Sequence, residues 1–270
     1  MVSESKQQPW KEQRDVSNFW IPKPIHIEEE KEGDWSRFRN VASHSQYVVC
    51  AEEHGSVENW QVYRTLLETG LFNVFAYELF DSWQESIREY VGHKKPFPAE
   101  VLDRWLGRGV GQLNDGKVSH EFLGFLDWIS EFSERQKVSL VLFDASSYPH
   151  GFSWNERDRI MNVNIQKARD VLQTQGPWLL GTGKRHARIS PFVERNERRI
   201  PLAHHLKQSD SVVSVNFDYK SGEVFNTIKK KRRNRAQTND QPFVLSCQSL
   251  GQRYKIAIKK SHPIHLIDNL

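Results

Sequence analysis

Short apolar runs alternate with amphipathic segments along the first two-thirds of the chain. Four of these runs lead into ionisable or glycine-rich sequence: Tyr47–Ala51, Asn73–Tyr77, Ser139–Phe143 and Pro177–Leu180. Short continuous apolar runs are typical of parallel strands, because such strands are buried on both faces of the sheet. The pattern therefore predicts an α/β fold with a central, mainly parallel sheet.

Apolar residues at helical spacing predict a helix in each of the intervening segments. The predicted helices cover residues 34–38, 57–69, 82–90, 122–132 and 155–174. Ser56 is a suitable N-cap for the second of them, and Gly70 can end it. Parallel strands need connections of this length, so we expect the helices to flank the sheet.

The pattern changes after residue 212, where apolar and polar residues alternate as they do in half-buried strands. The alternating runs are Val213–Phe217, Phe243–Cys247, Tyr254–Ile258 and Ile264–Ile267. They predict a β-rich C-terminal portion. A basic run, Lys229–Arg235, lies between the first two and is interpreted as a mobile hairpin loop.

Composition indicates a globular protein without a membrane span. The 270 residues are 37% hydrophobic and include nine Trp and fifteen Phe, which supply bulky core residues. No apolar run approaches the roughly 18–20 residues of a spanning helix. The N-terminus has no secretory signal pattern, and the two cysteines, Cys50 and Cys247, do not suggest a disulfide framework. We therefore expect a cytoplasmic protein.

The positive charge of the chain is concentrated in one place. Lys229–Arg235 carries six positive charges, so a net charge of +4 for the whole chain leaves −2 for the remainder. The basic run could contact nucleic acid, or it could be a solvated surface loop. The body of the protein does not have the charge of a nucleic-acid-binding domain.

The candidate chemistry follows the predicted strands, where ligands of α/β sheets bind. Glu52 and His54 follow the first strand on the same side of the chain, Glu78 follows the second and His186 follows the fourth. A histidine oriented by a carboxylate is suited to general-base catalysis or to metal ligation. These four residues could bind a divalent metal ion, act without one, or form only structural ion pairs.

Further candidates lie near the same predicted edge. Arg157 begins the helix after the third strand and could stabilise an anion or pair with a carboxylate. His205 could line the pocket or lie on the surface. Trp105 lies in the irregular, Gly- and Pro-containing segment 92–116, which is typical of a lid or binding loop, and is a candidate substrate contact. Serine-hydrolase, zincin and Walker motifs are absent from the sequence.

Taken in order, several segments resemble the erythromycin esterase-like superfamily, which also contains the TIKI, TraB and ChaN-like proteins. Val48–Gly55 resembles the first strand with its Gly-Glu-x-His or Gly-Glu-x-x-His-Gly motif. The other matching segments are Phe75–Glu78, Phe143–Asp144, Arg157–Asn164, Leu180–Arg188 and Pro201–Leu206. The resemblance covers residues 34–218. The charged, irregular residues before it, 1–33, are interpreted as an N-terminal arm, and the alternating residues after it, 219–270, as a β-rich extension with the basic loop.

The resemblance implies a hydrolase that cleaves an ester or amide bond in a small-molecule or peptide substrate. His54 would activate water, Glu52 and Glu78 would orient it or complete a metal site, and His186 would be a second base, acid or ligand. Arg157 would stabilise an anion. Asp144, Asp158 and His205 fall within matching motifs and are expected to contact substrate.

An alternative function comes from the same superfamily. The two-residue spacing of Glu52 and His54 matches the ChaN-like and TIKI-like members rather than the esterases. This alternative is a protein that binds haem or another metal-bearing ligand without catalysis. The sequence leaves the cofactor open between none, a divalent metal ion and haem.

Overall fold

The computed structural model describes residues 20–93, 117, 119–145, 153–226, 228–231, 243–248 and 253–264. Trp105 therefore lies outside the described residues, as do most of segment 92–116, the end of the basic run and nearly all of Ile264–Ile267. Among the described residues, no helix is long and apolar enough to cross a membrane.

Twelve strands are described in the covered ranges, and eight of them form one sheet. The strands are β1 (Glu28–Glu29), β2 (Tyr47–Glu52), β3 (Val74–Phe80), β4 (Ser139–Asp144), β5 (Trp178–Gly183), β6 (Phe192–Glu194), β7 (Glu197–Arg199), β8 (Val212–Tyr219), β9 (Glu223–Asn226), β10 (Ile228–Lys231), β11 (Phe243–Gln248) and β12 (Arg253–Ile258). The sheet order is β1-β11-β12-β8-β2-β5-β3-β4. Within it only β11 and β12 pair antiparallel, so the predicted α/β class with a mainly parallel sheet is confirmed.

Helices connect the parallel strands, as predicted. They are α1 (Asp34–Ser43), α2 (Val57–Glu68), α3 (Gln84–His93), α4 (His120–Gln136), α5 (Trp154–Leu172) and α6 (Leu202–Ser209). Ser56 occupies the N-cap position of α2, but its hydroxyl bonds to Glu58 and makes no capping hydrogen bond. The helix predicted from residue 82 is preceded by a 3-10 turn at Asp81–Trp83.

Both faces of the sheet are covered by apolar side chains. Along β2, Val48 and Cys50 pack into one buried cluster, and Tyr47 and Val49 pack into another on the opposite face. Period-two alternation places successive side chains on opposite faces of a strand. This burial on both sides explains why the parallel strands have continuous apolar sequences.

The strand order differs from the chain order at the centre of the sheet. The fourth predicted strand, β5, lies between β2 and β3, so the first two predicted strands are not neighbours. In the register, Glu52 pairs with Gly183, and Tyr77 pairs with Gly181. The carboxyl end of β5 therefore lies directly between the ends of β2 and β3, which carry Glu52 and Glu78.

The C-terminal strands extend the main sheet. β12 pairs with β8 in parallel, and β11 pairs with β12 on the outer side. The interpretation of Lys229–Arg235 as a hairpin loop joining β8 to β11 is wrong in two respects. Those strands are not adjacent, and Lys229–Lys231 belongs to β10, which pairs antiparallel with β9. Backbone pairing with β9 accommodates these basic residues in a strand.

Candidate active site

Glu78 is the centre of a buried polar cluster at the carboxyl edge of the sheet. Its Oε2 accepts hydrogen bonds from Thr182 Oγ1 at 2.5 Å and from the backbone N–H of Gly183 at 2.8 Å. Its Oε1 lies 3.0 Å from Lys117 Nζ and 2.9 Å from Arg157 Nη2. The carboxylate is 1% exposed, and four donors from three separate segments of the chain compensate its burial.

His54 approaches Glu78 from the β2 side. Its Nδ1 lies 2.7 Å from Glu52 Oε1, and its Nε2 lies 3.8 Å from Glu78 Oε2. Glu52 also accepts hydrogen bonds from the hydroxyls of Tyr63 and Tyr77, the latter at 2.9 Å. The two tyrosines fix the carboxylate, and the carboxylate in turn fixes the imidazole ring.

His186 approaches the same carboxylate from the turn after β5. Its Nδ1 is hydrogen-bonded to Asp158 Oδ1, and its Nε2 lies 3.8 Å from Glu78 Oε1. The indole of Trp154 stacks on the imidazole, with ring centroids 4.6 Å apart and planes 17° apart. His186 is therefore held in its ring plane by Asp158 and against its face by Trp154.

The two histidines have the same hydrogen-bonding arrangement, in which Nδ1 contacts a carboxylate oxygen. Carboxylate oxygens accept hydrogen bonds, so we assign a proton to Nδ1 of His54, which faces Glu52, and to Nδ1 of His186, which faces Asp158. In the neutral imidazoles this leaves the lone pair on Nε2. Both Nε2 atoms face Glu78, each 3.8 Å from a different oxygen of that carboxylate.

Arg157 joins the cluster to the end of β4. Its guanidinium donates to Asp144 through Nε at 3.1 Å and through Nη2 at 2.6 Å. Nη2 also reaches Glu78, and Nη1 lies 3.5 Å from His186 Nε2. Arg157 and Asp158 both lie in the first turn of α5. These adjacent residues therefore reach neighbouring side chains, Arg157 contacting Glu78 and Asp158 contacting His186.

Glycines at the end of β5 make room for these side chains. A Cβ at Gly183 would lie 3.2 Å from His54 Nε2 and 3.6 Å from both Glu78 Oε2 and His186 Cδ2. A Cβ at Gly181 would lie 2.7 Å from the Tyr63 hydroxyl oxygen. The Gly-Thr-Gly sequence is therefore what allows the strand between β2 and β3 to carry the site.

Charge and burial shift the pKa values in the cluster in opposite directions. Burial and the Lys117 ammonium lower the pKa of His54, but the hydrogen bond and charge of Glu52 and the charge of Glu78 outweigh them and raise it. Burial raises the pKa of Glu78, but Lys117, His186, Arg157 and His54 together hold it well below its usual range. Glu78 is therefore ionised, and His54 binds a proton more readily than a free histidine does.

The structure brings together most of the residues that the sequence singled out. Glu52, His54, Glu78, Arg157 and His186 lie in direct contact, and Asp144 and Asp158 support them from the next layer. His205 lies apart on α6, where its Nε2 is buried without a hydrogen-bond partner among the described residues. Burial lowers its pKa, and the nearby charge of Asp158 opposes that effect.

Sequence reasoning missed several residues of the cluster. Lys117 lies beside the irregular segment, and nothing in its sequence surroundings marks it. Thr182 lies between the two glycines that follow the fourth apolar run, where nothing marks it as a hydrogen-bond donor, and Tyr63 belongs to the apolar face of α2. Trp154 precedes the Arg157–Asp158 motif by one helical turn, so the spacing of that motif could have indicated it.

The described donors do not suit a divalent metal ion. Glu52 and Asp158 are directed to the Nδ1 atoms, which leaves Glu78 and the two Nε2 atoms as ligands. Both Lys117 and Arg157 already lie at Glu78 Oε1, where a further cation would meet two positive charges. Among the described residues, no group of three or more His, Cys, Asp or Glu side chains is arranged to hold a metal ion.

Comparison with solved structures identifies the fold. A Bacillus cereus protein solved as a structural-genomics target superposes with a TM-score of 0.63 and 11% identity, over 90% of this chain and 96% of that one. A succinoglycan biosynthesis protein gives a TM-score of 0.57 at 12% identity, over 93% of this chain and 97% of that one. A mutant of erythromycin esterase EreC in its open conformation gives 0.58 at 9% identity, over 87% and 95%.

These matches confirm the resemblance at the level of fold. The chain has the fold of erythromycin esterase and of the structural-genomics proteins related to it. No protein-family model matches the sequence, and no curated protein matches it either. At 9–12% identity the similarity concerns the fold, and any chemistry has to be argued from the residues of this chain.

Proposed function

We propose that this protein is a hydrolase that cleaves an ester or amide bond with water activated by His54. One observation carries the proposal. Two imidazoles, each oriented by a carboxylate at Nδ1, direct Nε2 at the two oxygens of one ionised glutamate. A pair of titratable groups fixed in this way is suited to general acid–base catalysis. The fold shared with an esterase agrees with this chemistry.

His54 is the better candidate for the base, because its side chain is 12% exposed and that of His186 is 3% exposed. In the proposed reaction, a water proton moves to His54 Nε2 while the water oxygen attacks the carbonyl carbon. The Glu52 carboxylate keeps the proton on Nδ1 and stabilises the imidazolium that forms, as the third member of a catalytic triad does.

His186 is suited to the opposite step, the donation of a proton to the leaving group. In the proposed reaction His186 enters this step as an imidazolium, with Nδ1–H hydrogen-bonded to Asp158 and Nε2 facing Glu78. When the scissile bond breaks, the proton on Nε2 passes to the leaving oxygen or nitrogen. His54 has then gained one proton and His186 has lost one, so a single transfer between them restores the starting state.

Arg157 and Lys117 supply positive charge beside the reacting atoms. Both lie within 3.0 Å of Glu78 Oε1, so they keep this carboxylate ionised and offset its negative charge. We assign the oxyanion of the tetrahedral intermediate to the Arg157 side of the cluster, where donors fixed in advance stabilise developing charge. Asp144 and Asp158 are buried and hold Arg157 and His186, so we propose that they position those residues rather than contact substrate.

A substrate panel tests the proposal. Purified protein is assayed against p-nitrophenyl esters and aryl amides that differ in acyl length and charge. The variant His54→Ala/His186→Ala measures the background, and His44→Gln is the matched control, because His44 is an exposed histidine at the end of α1. We expect turnover by the wild type and His44→Gln only. Equal rates for all three proteins would contradict the proposed function.

A further inference from the structure

A cavity of about 630 Å³ lies beside the candidate active site. Its wall is formed by the segment after β5, by the strand β6 and by residues of β2, β8 and β12. Its lining residues include Lys184, Arg185, Arg188, Phe192, Asn216 and Arg253. A volume of this size is within the range of small-molecule binding sites.

The cavity is strongly basic. Its lining includes four cationic side chains and one carboxylate, Glu194. Arg185 is compensated by Glu194 at 2.9 Å, and Lys184 is compensated by Glu53 at 2.9 Å. Arg188 and Arg253 have no carboxylate partner within the part of the chain that the structure describes. Two guanidinium groups without a carboxylate partner among these residues therefore line one cavity.

The uncharged residues of the wall suit an anion as well. The Arg188 guanidinium lies over the ring of Phe192, with 4.2 Å between its Cζ and the ring centroid. Stacking fixes the plane of a guanidinium and leaves its N–H groups available in that plane. The half-buried Asn216 amide has no hydrogen-bond partner among the described residues, so it adds a donor directed by strand β8.

Neighbouring strands place these groups on one side. Arg253 of β12 pairs in the register with Ser214 of β8, and both residues line the cavity. Asn216 follows two residues later in β8 and therefore lies on the same face as Ser214. Arg253 and Asn216 are thus held by sheet strands, and the other basic groups are held by the segment after β5.

The same short turn serves both the cavity and the candidate active site. Residues 184–187 place Lys184, Arg185 and Ala187 in the cavity wall and His186 in the cluster around Glu78. Ala51, which also lines the cavity, directly precedes Glu52 in β2. A ligand bound in the cavity therefore lies next to the turn that positions one of the two histidines.

We propose that this cavity is a subsite for an anionic group, a phosphate or a carboxylate, on a small molecule. Two guanidinium groups and one amide match the acceptor oxygens of either group. The identification of this small molecule as the substrate rests on the proposed hydrolase, and the substrate class is then an ester or amide that carries an anionic group. Anion binding itself needs no turnover and can be measured separately.

Calorimetric titration tests the subsite. The probes are glucose 6-phosphate, glucuronate and uncharged glucose, and the proteins are the wild type, Arg188→Gln/Arg253→Gln and the control Arg88→Gln/Lys167→Gln. The control removes two exposed charges from α3 and α5, outside the cavity. We expect at least one charged sugar to bind and glucose to bind at least about tenfold more weakly. Loss of two charge-assisted hydrogen bonds should weaken the charged probe by at least about tenfold in the cavity variant alone.

Three results would overturn the subsite: no binding of either charged sugar, equal binding of glucose, or equal weakening in the cavity and control variants. The preference between the two charged sugars distinguishes a phosphate ligand from a carboxylate ligand. The same titration with His54→Ala separates the two proposals. Charged-sugar binding retained in that variant supports the subsite, whatever its rate of hydrolysis, and binding that disappears with His54 contradicts it.

Discussion

The backbone N–H of Gly183 donates a hydrogen bond of 2.8 Å to the Glu78 carboxylate. The bond links the ends of β5 and β3, which are neighbours in the sheet although β4 and a long stretch of chain lie between them in the sequence. It directs Glu78 toward the space that both imidazoles share. A side chain at residue 183 would enter that space.

Gly183→Val tests this packing. A Cβ at residue 183 already lies 3.2 Å from His54 Nε2, and two further methyl groups would displace the imidazole or Glu78. We expect hydrolysis to fall by about 10²-fold, because misplacement by about 1 Å has this effect. The control is Gly92→Ala in α3, where a Cβ meets no atom within 4 Å. If Gly183→Val hydrolysed substrate about as fast as the control, the space beside Gly183 would not be needed for catalysis.

Glu52→Gln should shift the pH dependence of hydrolysis toward lower pH. The hydrogen bond and charge of Glu52 raise the pKa of His54, so loss of that charge lowers it. A base is active when neutral, and the rate of the wild type therefore rises as pH passes upward through the pKa of His54. In Glu52→Gln this rise should occur at lower pH, with a maximal rate reduced by about tenfold or more because the imidazolium loses its counter-charge. The measurement is the pH profile of kcat/KM. If the rise in kcat/KM occurs at the same pH as in the wild type, or at a higher pH, the assignment of His54 as the base is contradicted.

Lys117→Met should shift the rise of kcat/KM with pH in the opposite direction. The Lys117 ammonium lowers the pKa of His54, so its removal raises that pKa and moves the rise in rate to higher pH. Glu52→Gln and Lys117→Met are therefore expected to shift the pKa of His54 in opposite directions. Two shifts in the same direction would show that the rise in rate reports the titration of a different residue.

Glu78→Ala should destabilise the protein. The substitution leaves Lys117 and Arg157 at the buried edge without this carboxylate, and breaking a buried ion pair costs about 3–5 kcal/mol.

Because the folded pKa of Glu78 lies well below its usual range, its contribution to stability is complete above the unfolded pKa and is lost as pH falls through the folded value. Glu78→Gln should therefore show a weaker loss of stability in acid than the wild type, measured by urea unfolding from neutral to acidic pH. Parallel pH dependences in the two proteins would contradict this.

Chelation should leave the activity unchanged. Lys117 and Arg157 already lie at Glu78 Oε1, where a metal ion would meet two positive charges, so we expect side chains and water to carry the proposed reaction. We expect the same kcat/KM before and after dialysis against EDTA, and less than stoichiometric metal by elemental analysis. Activity that is lost on chelation and restored by one divalent metal would contradict the account.

Much of the fold could be predicted from the sequence because buried parallel strands have a distinctive apolar pattern. The runs that became β2, β3, β4 and β5 were recognisable for this reason, and each pointed to the residues at its carboxyl end. The position of β5 between β2 and β3 could not be predicted, because strand order depends on how the helices pack and not on local periodicity.

The site was only partly predictable for a related physical reason. His54 and Glu52 are close in sequence, so the two-residue period fixed their relation directly. Lys117 reaches Glu78 from a distant irregular segment, and Asp158 reaches His186 from a helix that precedes β5. Such contacts are set by the tertiary fold. The pairing of β10 with β9 was missed because six like charges suggested a loop, and backbone pairing outweighed that preference.

The rate of hydrolysis by His54→Ala tests the central claim most directly. The measurement is kcat/KM on the best ester of the panel, with thermal unfolding of each protein as a control for folding. We predict that His54→Ala loses on the order of 10²-fold or more in kcat/KM, because a general base contributes at least that much, and keeps a melting temperature close to that of the wild type. A folded His54→Ala variant with the full activity of the wild type would contradict the assignment of His54 as the base.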